Sequence, residues 1–116
     1  MPDPDGLSAE DFCYLTTVGR VTGRPHEVEM WFSLRDGVLY MLSGGGDRAD
    51  WVKNLRRNPD VKVRIAGEVL EGKARVVEDA VEDRIARRLL VEKYERRPGS
   101  LSGWRGRALP VAVDLA

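Results

Sequence analysis

The residues best suited to chemistry lie in Ser43-Gly-Gly-Gly-Asp-Arg-Ala-Asp-Trp51, which continues into Val-Lys-Asn-Leu-Arg-Arg-Asn-Pro59. A strand end, a glycine run and a helix start together can receive an anion. Glycines let backbone N–H groups approach phosphate oxygens, and a helix N-terminus adds about half a positive charge. Arg48 offers a forked, charge-assisted donor. The Gly-Lys-Ser/Thr ending of a Walker loop is missing. Asp47 and Asp50 oppose a dense negative ligand, so a plain strand-to-helix connection with a solvated arginine stays open. Trp51 and Leu55 fall one turn apart and read as core. Lys53, Arg56 and Arg57 read as a solvated face, from which Arg57 could reach back to a phosphate tail.

A second cluster, Thr16, Thr17, Arg20, Thr22 and Arg24, offers hydroxyl and guanidinium donors to a phosphate or carboxylate. Threonines also simply favour strands, and arginines decorate loops, which is the plainer explanation. His26 is the single histidine and cannot build a zinc site, which wants three or four ligands. Cys13 borders an apolar segment and reads as a small buried hydrophobe. Glu27, Glu29, Glu68 and Glu71 read as sheet-surface charge. No Ser–His–Asp or Cys–His pairing has support, and Tyr40, Tyr94 and His26 are candidate proton donors that no spacing separates. A chain this poor in catalytic groups needs a cofactor if it is to react.

The elements that must position these residues follow from period and turns. Ser8 could cap a helical turn over Glu10–Tyr14, before a strand over Leu15–Val18. Gly19–Pro25 reads as a turn. His26–Leu34 alternates, with Val28, Met30, Phe32 and Leu34 on one face and Glu27, Glu29, Trp31 and Ser33 on the other. Asp36-Gly37 predicts a hairpin into Val38–Ser43. Asp47 or Asp50 would cap a helix that Pro59 stops. Val61, Val63 and Ile65 mark a strand, and Ala66-Gly67 turns it into Glu68–Val77. From Ala80 to Glu95, Val81, Ile85, Ala86, Leu89, Leu90 and Tyr94 form one helical stripe. Arg96–Gly106 reads as a loop, and Leu109–Leu115 as a last strand that holds Pro110 near its start. About six mostly antiparallel strands with two helices make an α+β domain, and strands that must protect their edges commonly curl into a barrel.

A length of 116 residues suits one domain, 1–116, with residues 1–7 expected as a flexible tail. Lys plus Arg and Asp plus Glu both total 19, which argues against nucleic acid as partner, since phosphate neutralisation needs a positive excess. With one cysteine there is no internal disulfide. No apolar stretch approaches the ~20 residues that cross a bilayer, and the acidic N-terminus lacks a secretory signal, so a cytoplasmic location is expected.

Tyr14-Leu-Thr-Thr-Val-Gly-Arg-Val-Thr-Gly-Arg-Pro25, the 43–59 stretch and Leu109-Pro-Val-Ala-Val together resemble the deazaflavin-dependent nitroreductase family, in order and spacing. The resemblance implies a split β-barrel related to pyridoxamine-phosphate oxidases. It implies a deazaflavin cofactor (coenzyme F-420), with FMN or haem in other branches, and hydride transfer to a small electrophilic acceptor such as a quinone, nitro compound or activated double bond. Carried over by position, Ser43, Gly44, Gly45 and Arg48 would meet the cofactor. Trp51, Asn54 and Arg57 would lie nearby, and Trp31 would line the ring's edge. Pairing of two such barrels is implied as well, giving a homodimer. Gly44, His26 and Glu29 stand where many relatives carry a basic residue, an arginine and a proline, which marks a divergent subgroup. The reading from another class is a carrier that binds a flavin-type cofactor, haem or a lipid-like ligand without turnover.

Overall fold

The structure, a computed structural model, describes residues 4–94 and 108–116. The expected loop 96–106 lies outside the described residues. Seven strands form a single antiparallel sheet among the described residues. They are β1 (Cys13–Val18), β2 (Pro25–Met30), β3 (Ser33–Arg35), β4 (Val38–Ser43), β5 (Asp60–Ile65), β6 (Glu68–Val76) and β7 (Leu109–Leu115). Helix α1 (Asp50–Arg57) follows β4, and α2 (Ala80–Tyr94) follows β6. Spatial order is β2-β1-β5-β6-β7-β4-β3. The two edge strands are therefore neighbours in sequence that do not pair, and the sheet curls into a barrel split between them.

Curling follows from the alternation. Leu15 of β1, Met41 of β4, Val63 of β5, Ala74 of β6 and Val111 of β7 all enter one buried cluster, which Val52 and Leu55 of α1 plug. Two tight turns fix register: Asp36-Gly37 and Ala66-Gly67 have φ of 51°, 79°, 50° and 84°, the doubly left-handed geometry whose twist matches antiparallel strands. Pro110 sits second in β7, near the strand's start, and its carbonyl accepts Val77 N–H at 3.0 Å.

The sheet is covered unevenly. α2 lies over β3, β4 and β7, and a second buried cluster holds Tyr40, Leu42, Leu90, Tyr94 and Ala112. β4 and β7 are thus buried on both faces, while no helix among the described residues covers the outer face of β1, β5 and β6.

Four expectations are corrected. The strand expected over His26–Leu34 is two strands, giving seven rather than about six. At the break, Phe32 is fully buried; its N–H donates to the Tyr94 hydroxyl at 3.1 Å, its carbonyl accepts from Lys93 Nζ at 2.9 Å, and the one hydroxyl proton of Tyr94 is shared between Asp11 O at 2.7 Å and Phe32 O at 3.0 Å. Side chains thus satisfy backbone groups that a ladder would otherwise hold. The helical turn expected over Glu10–Tyr14 is absent; a 3-10 helix spans Pro4–Ala9 and seats Leu7 in the core, so the chain is already anchored inside the expected tail. Val81 is exposed rather than part of the buried stripe of α2, which begins at Ala86. Ala49, not Asp47 or Asp50, is the N-cap of α1, and no side chain caps it.

Candidate functional site

Between the Gly19–Arg24 turn, β2 and the start of α1 lies a groove of about 350 Å³. Arg20, His26, Val28, Asp50, Trp51 and Asn54 are among its lining residues. The turn is closed by its own backbone, Gly19 N–H donating to Arg24 O at 2.7 Å and Gly23 N–H to Gly19 O at 2.9 Å. Gly19 is buried under the His26 ring. A Cβ there would stand 2.8 Å from His26 Nε2 and 2.9 Å from Thr22 Oγ1, so only glycine lets the imidazole cross the turn undisturbed.

The turn is joined to α1 by one buried side chain. Asn54 Oδ1 accepts from Arg20 N–H at 3.1 Å and from Arg20 Nη1 at 2.8 Å, and Asn54 Nδ2 donates to Thr17 Oγ1 at 3.3 Å. Arg20 Nη2 also reaches Asp50 Oδ1 at 3.2 Å, an ion pair at the exposed start of the helix. Trp51 is half-buried, one face against the core and the rest toward the groove.

Of the residues carried over from the family resemblance, Trp51 and Asn54 line this groove. Ser43 is buried, and its hydroxyl donates to Gly46 O at 2.9 Å, closing the loop that leads to α1. Gly44, Gly45 and Arg48 are exposed on that loop. Arg57 is exposed in the last turn of α1, about 10 Å along the helix from Asp50 at 1.5 Å per residue. Trp31 lies elsewhere, stacked on Tyr94 with ring centroids 4.4 Å apart and planes at 3°. Of the other groove residues, Arg20 belongs to the donor cluster of the first turn and His26 is a candidate proton donor, whereas Val28 reads from the sequence only as one position of strand alternation. The signal for Arg20 is the crowding of donors around the first turn, which also has the plainer loop explanation.

The candidate proton donors separate here. Tyr40 donates to Glu82 Oε2 at 2.8 Å, and burial together with that bond pushes its hydroxyl up to about 12. Tyr94 is fully buried against Phe32 and Asp11. His26 alone of the three borders the groove. Cys13 is buried in the barrel, where desolvation pushes its thiol up to about 12 and suppresses nucleophilicity. Among the described residues no three His, Cys, Asp or Glu gather closely enough for a metal ion.

Comparison with known proteins decides the family. The family model described as F420H(2)-dependent quinone reductase matches residues 5–116. The chain belongs to that family. Among solved structures, a protein described as an F420-H2 dependent reductase is 25% identical with a TM-score of 0.71, over 89% of this chain and 93% of the other. An F420 reductase is 20% identical with a TM-score of 0.69, over 100% and 96%. A pyridoxamine 5'-phosphate oxidase candidate from Listeria innocua is 22% identical with a TM-score of 0.69, over 94% and 86%. Membership and these likenesses agree with the split barrel derived above. No helix among the described residues is long and apolar enough to cross a membrane.

Proposed function

We propose that this chain is a deazaflavin-dependent reductase that holds the cofactor at the groove between the Gly19–Arg24 turn, β2 and α1. The observation that carries the reading is the joining, in one family member, of a half-buried tryptophan, an apolar wall at Val28 and a fixed guanidinium at Arg20. This donor set fits a flat ring with an acidic tail: Trp51 and Val28 offer surface to the ring, and Arg20 offers N–H donors. A volume of about 350 Å³ is near the lower end for a small-molecule pocket, so a phosphate-bearing tail must run outside it. Gly44, Gly45 and Arg48 lie on the exposed loop that leads to the same helix. The start of α1 has no side-chain cap, and with Val52 N–H already bonded to Ala49 O, the N–H groups ahead of it are the ones a phosphate oxygen would meet.

When bound and reduced, the deazaflavin supplies hydride. The chain's part is to orient the ring, exclude water from one of its faces and present a small electrophilic acceptor to the other. His26, which borders the groove, is the proton donor proposed for the reduced acceptor. The acceptor class proposed is a quinone, with nitro compounds and activated double bonds as further candidates.

One observation favours the carrier reading: both tyrosine hydroxyls considered as acids are committed within the fold. Titration of the protein with the deazaflavin, with FMN and with haem, followed by tryptophan fluorescence, separates the readings. Saturable quenching by the deazaflavin at micromolar levels, then oxidation of its reduced form by a quinone, supports the reductase. Preference for FMN or haem, or binding without turnover, would replace it.

We also propose a cytoplasmic homodimer, paired through the outer face of β1, β5 and β6. A concavity of about 580 Å³ bordered by Thr16, Val18, Lys62, Glu71 and Lys73 lies there, and no helix among the described residues covers it. Sedimentation showing a monomer at micromolar concentration would remove the dimer.

A further inference from the structure

We propose that Asn54 is the positioning residue of the groove: it holds no ligand itself, but sets the Gly19–Arg24 turn against α1 and so fixes the groove's width. This rests on the reading of the groove as the cofactor site. Three bonds converge on one amide that is only 4% exposed. Its Oδ1 takes both the backbone N–H and the guanidinium of Arg20, and its NH₂ is anchored below on Thr17, which is fully buried.

A residue that met the cofactor through its amide would need a free polar atom toward the groove. Here the carboxamide oxygen already accepts two bonds, which saturates its lone pairs, one N–H is held by Thr17, and the second belongs to an amide only 4% exposed, with little surface to offer a ligand. Holding the backbone of Arg20 as well as its side chain means that Asn54 dictates where the turn sits, not only where one guanidinium points. The Arg20–Asp50 ion pair cannot do this alone. It is exposed, Asp50 being 85% accessible, and such pairs fix little. The hydrogen bonds that close the turn are internal to it and leave its placement on α1 undecided.

Three variants test the role: Asn54→Ala, Asn54→Asp and Thr17→Val. An aspartate keeps the size and accepts from Arg20, and the Thr17 hydroxyl can rotate to donate to it, so it restores the clamp. Two quantities are read on each: deazaflavin affinity by tryptophan quenching, and hydrogen exchange at the Arg20 amide compared with amides of β5 and β6. Asn54→Ala is expected to weaken binding at least tenfold and to speed Arg20 exchange at least a hundredfold, with β5 and β6 still protected. Asn54→Asp is expected to return both to within threefold of the parent. Thr17→Val, which removes only the lower anchor, is expected to give a severalfold change in each, and decides the matter if Asn54→Ala does not fold.

Faster exchange at Arg20 with unchanged affinity would overturn the proposal, as would equal loss of protection throughout the sheet. If the parent protein binds no deazaflavin, the cofactor reading fails. The positioning of the turn would then stand or fall on the exchange data, so the two failures are distinguishable.

Discussion

The side of the barrel under α2 and the side that bears the groove are built from the same sheet by opposite means. Under α2, β4 and β7 are buried on both faces, and helix and sheet are joined by many independent contacts. Arg75 grips Glu82 through two bonds of 2.6 and 2.8 Å and Asp114 through two of 2.7 and 3.1 Å, while Tyr40 reaches the same Glu82. Tyr94 secures the break between β2 and β3. On the groove side, β2 is an edge strand with no fully buried residue, and the turn beside it rests on one amide and one exposed ion pair. The difference teaches a division of labour. Stability is concentrated where nothing need enter, and the groove is assembled from parts that few bonds hold, the low-stability end from which binding elements are drawn.

If the division is real, substitutions under α2 should change stability and spare ligand affinity. Those at the groove should do the reverse. The largest effect is expected from Tyr94→Ala, which removes a fully buried ring, its stacking on Trp31 and the bonds to Phe32. A loss of about 3–5 kcal/mol in urea unfolding is predicted. A loss below about 1 kcal/mol would break the contrast.

Next comes a pair of glycines. A Cβ at Gly72 would stand 2.6 Å from Asp114 O and 2.7 Å from Val113 Cγ1, where β6 meets β7, and backbone cannot step aside. Gly72→Ala should cost about 1–3 kcal/mol by thermal unfolding. A Cβ at Gly19 meets only side-chain atoms of His26 and Thr22, which can swing away. Gly19 is buried, but only flexible side-chain ends must move, so Gly19→Ala should cost about 0.5 kcal/mol or less, yet weaken deazaflavin binding severalfold by titration. Equal stability losses at the two sites would contradict the account.

Arg48→Ala tests whether the exposed loop meets the cofactor tail. A charge-assisted bond predicts a loss of about 1.5–3 kcal/mol in binding, with unfolding unchanged. Unchanged affinity would remove Arg48 from the site.

The smallest effect is a pH dependence confined to the α2 side. The Arg75 guanidinium holds the Glu82 carboxyl below its ordinary value of 4.5. A depressed carboxylate contributes stability above that value, and the contribution is lost as pH falls through the lower folded value. The Tyr40 hydroxyl, pushed up from 10 to about 12, works in the opposite direction: its contribution is intact below pH 10 and is lost as pH rises toward 12. Glu82→Gln should cost about 1 kcal/mol near neutrality, since Arg75 is partly exposed and solvent screens the pair, and its penalty should shrink in acid. Tyr40→Phe should flatten the alkaline decline. Unfolding curves from pH 3 to 11 check both, and a penalty for Glu82→Gln that grows in acid would contradict the assignment.

What was legible in the sequence was local. Val38–Ser43 and Leu109–Leu115 fall where alternation and the Asp36-Gly37 turn put them, because a two-residue turn and a period of two are written in adjacent residues. The break after Met30 was not legible, since its cause is Tyr94, 62 residues beyond Phe32. The groove was half legible. Trp51 stands out by type, but the link between Arg20 and Asn54 spans 34 residues and exists only once the barrel closes. The surroundings of Trp31 were not legible either, since the ring it stacks on, Tyr94, belongs to a helix far along the chain.

The most direct test of the central claim is a titration of the labelled protein with the deazaflavin, followed by amide chemical shifts. The account predicts saturable changes concentrated at Gly19–His26, Val28 and Trp51, with α2 and the strands beneath it almost unmoved. Saturable changes centred on Trp31 and α2, or no saturation at millimolar cofactor, would contradict it.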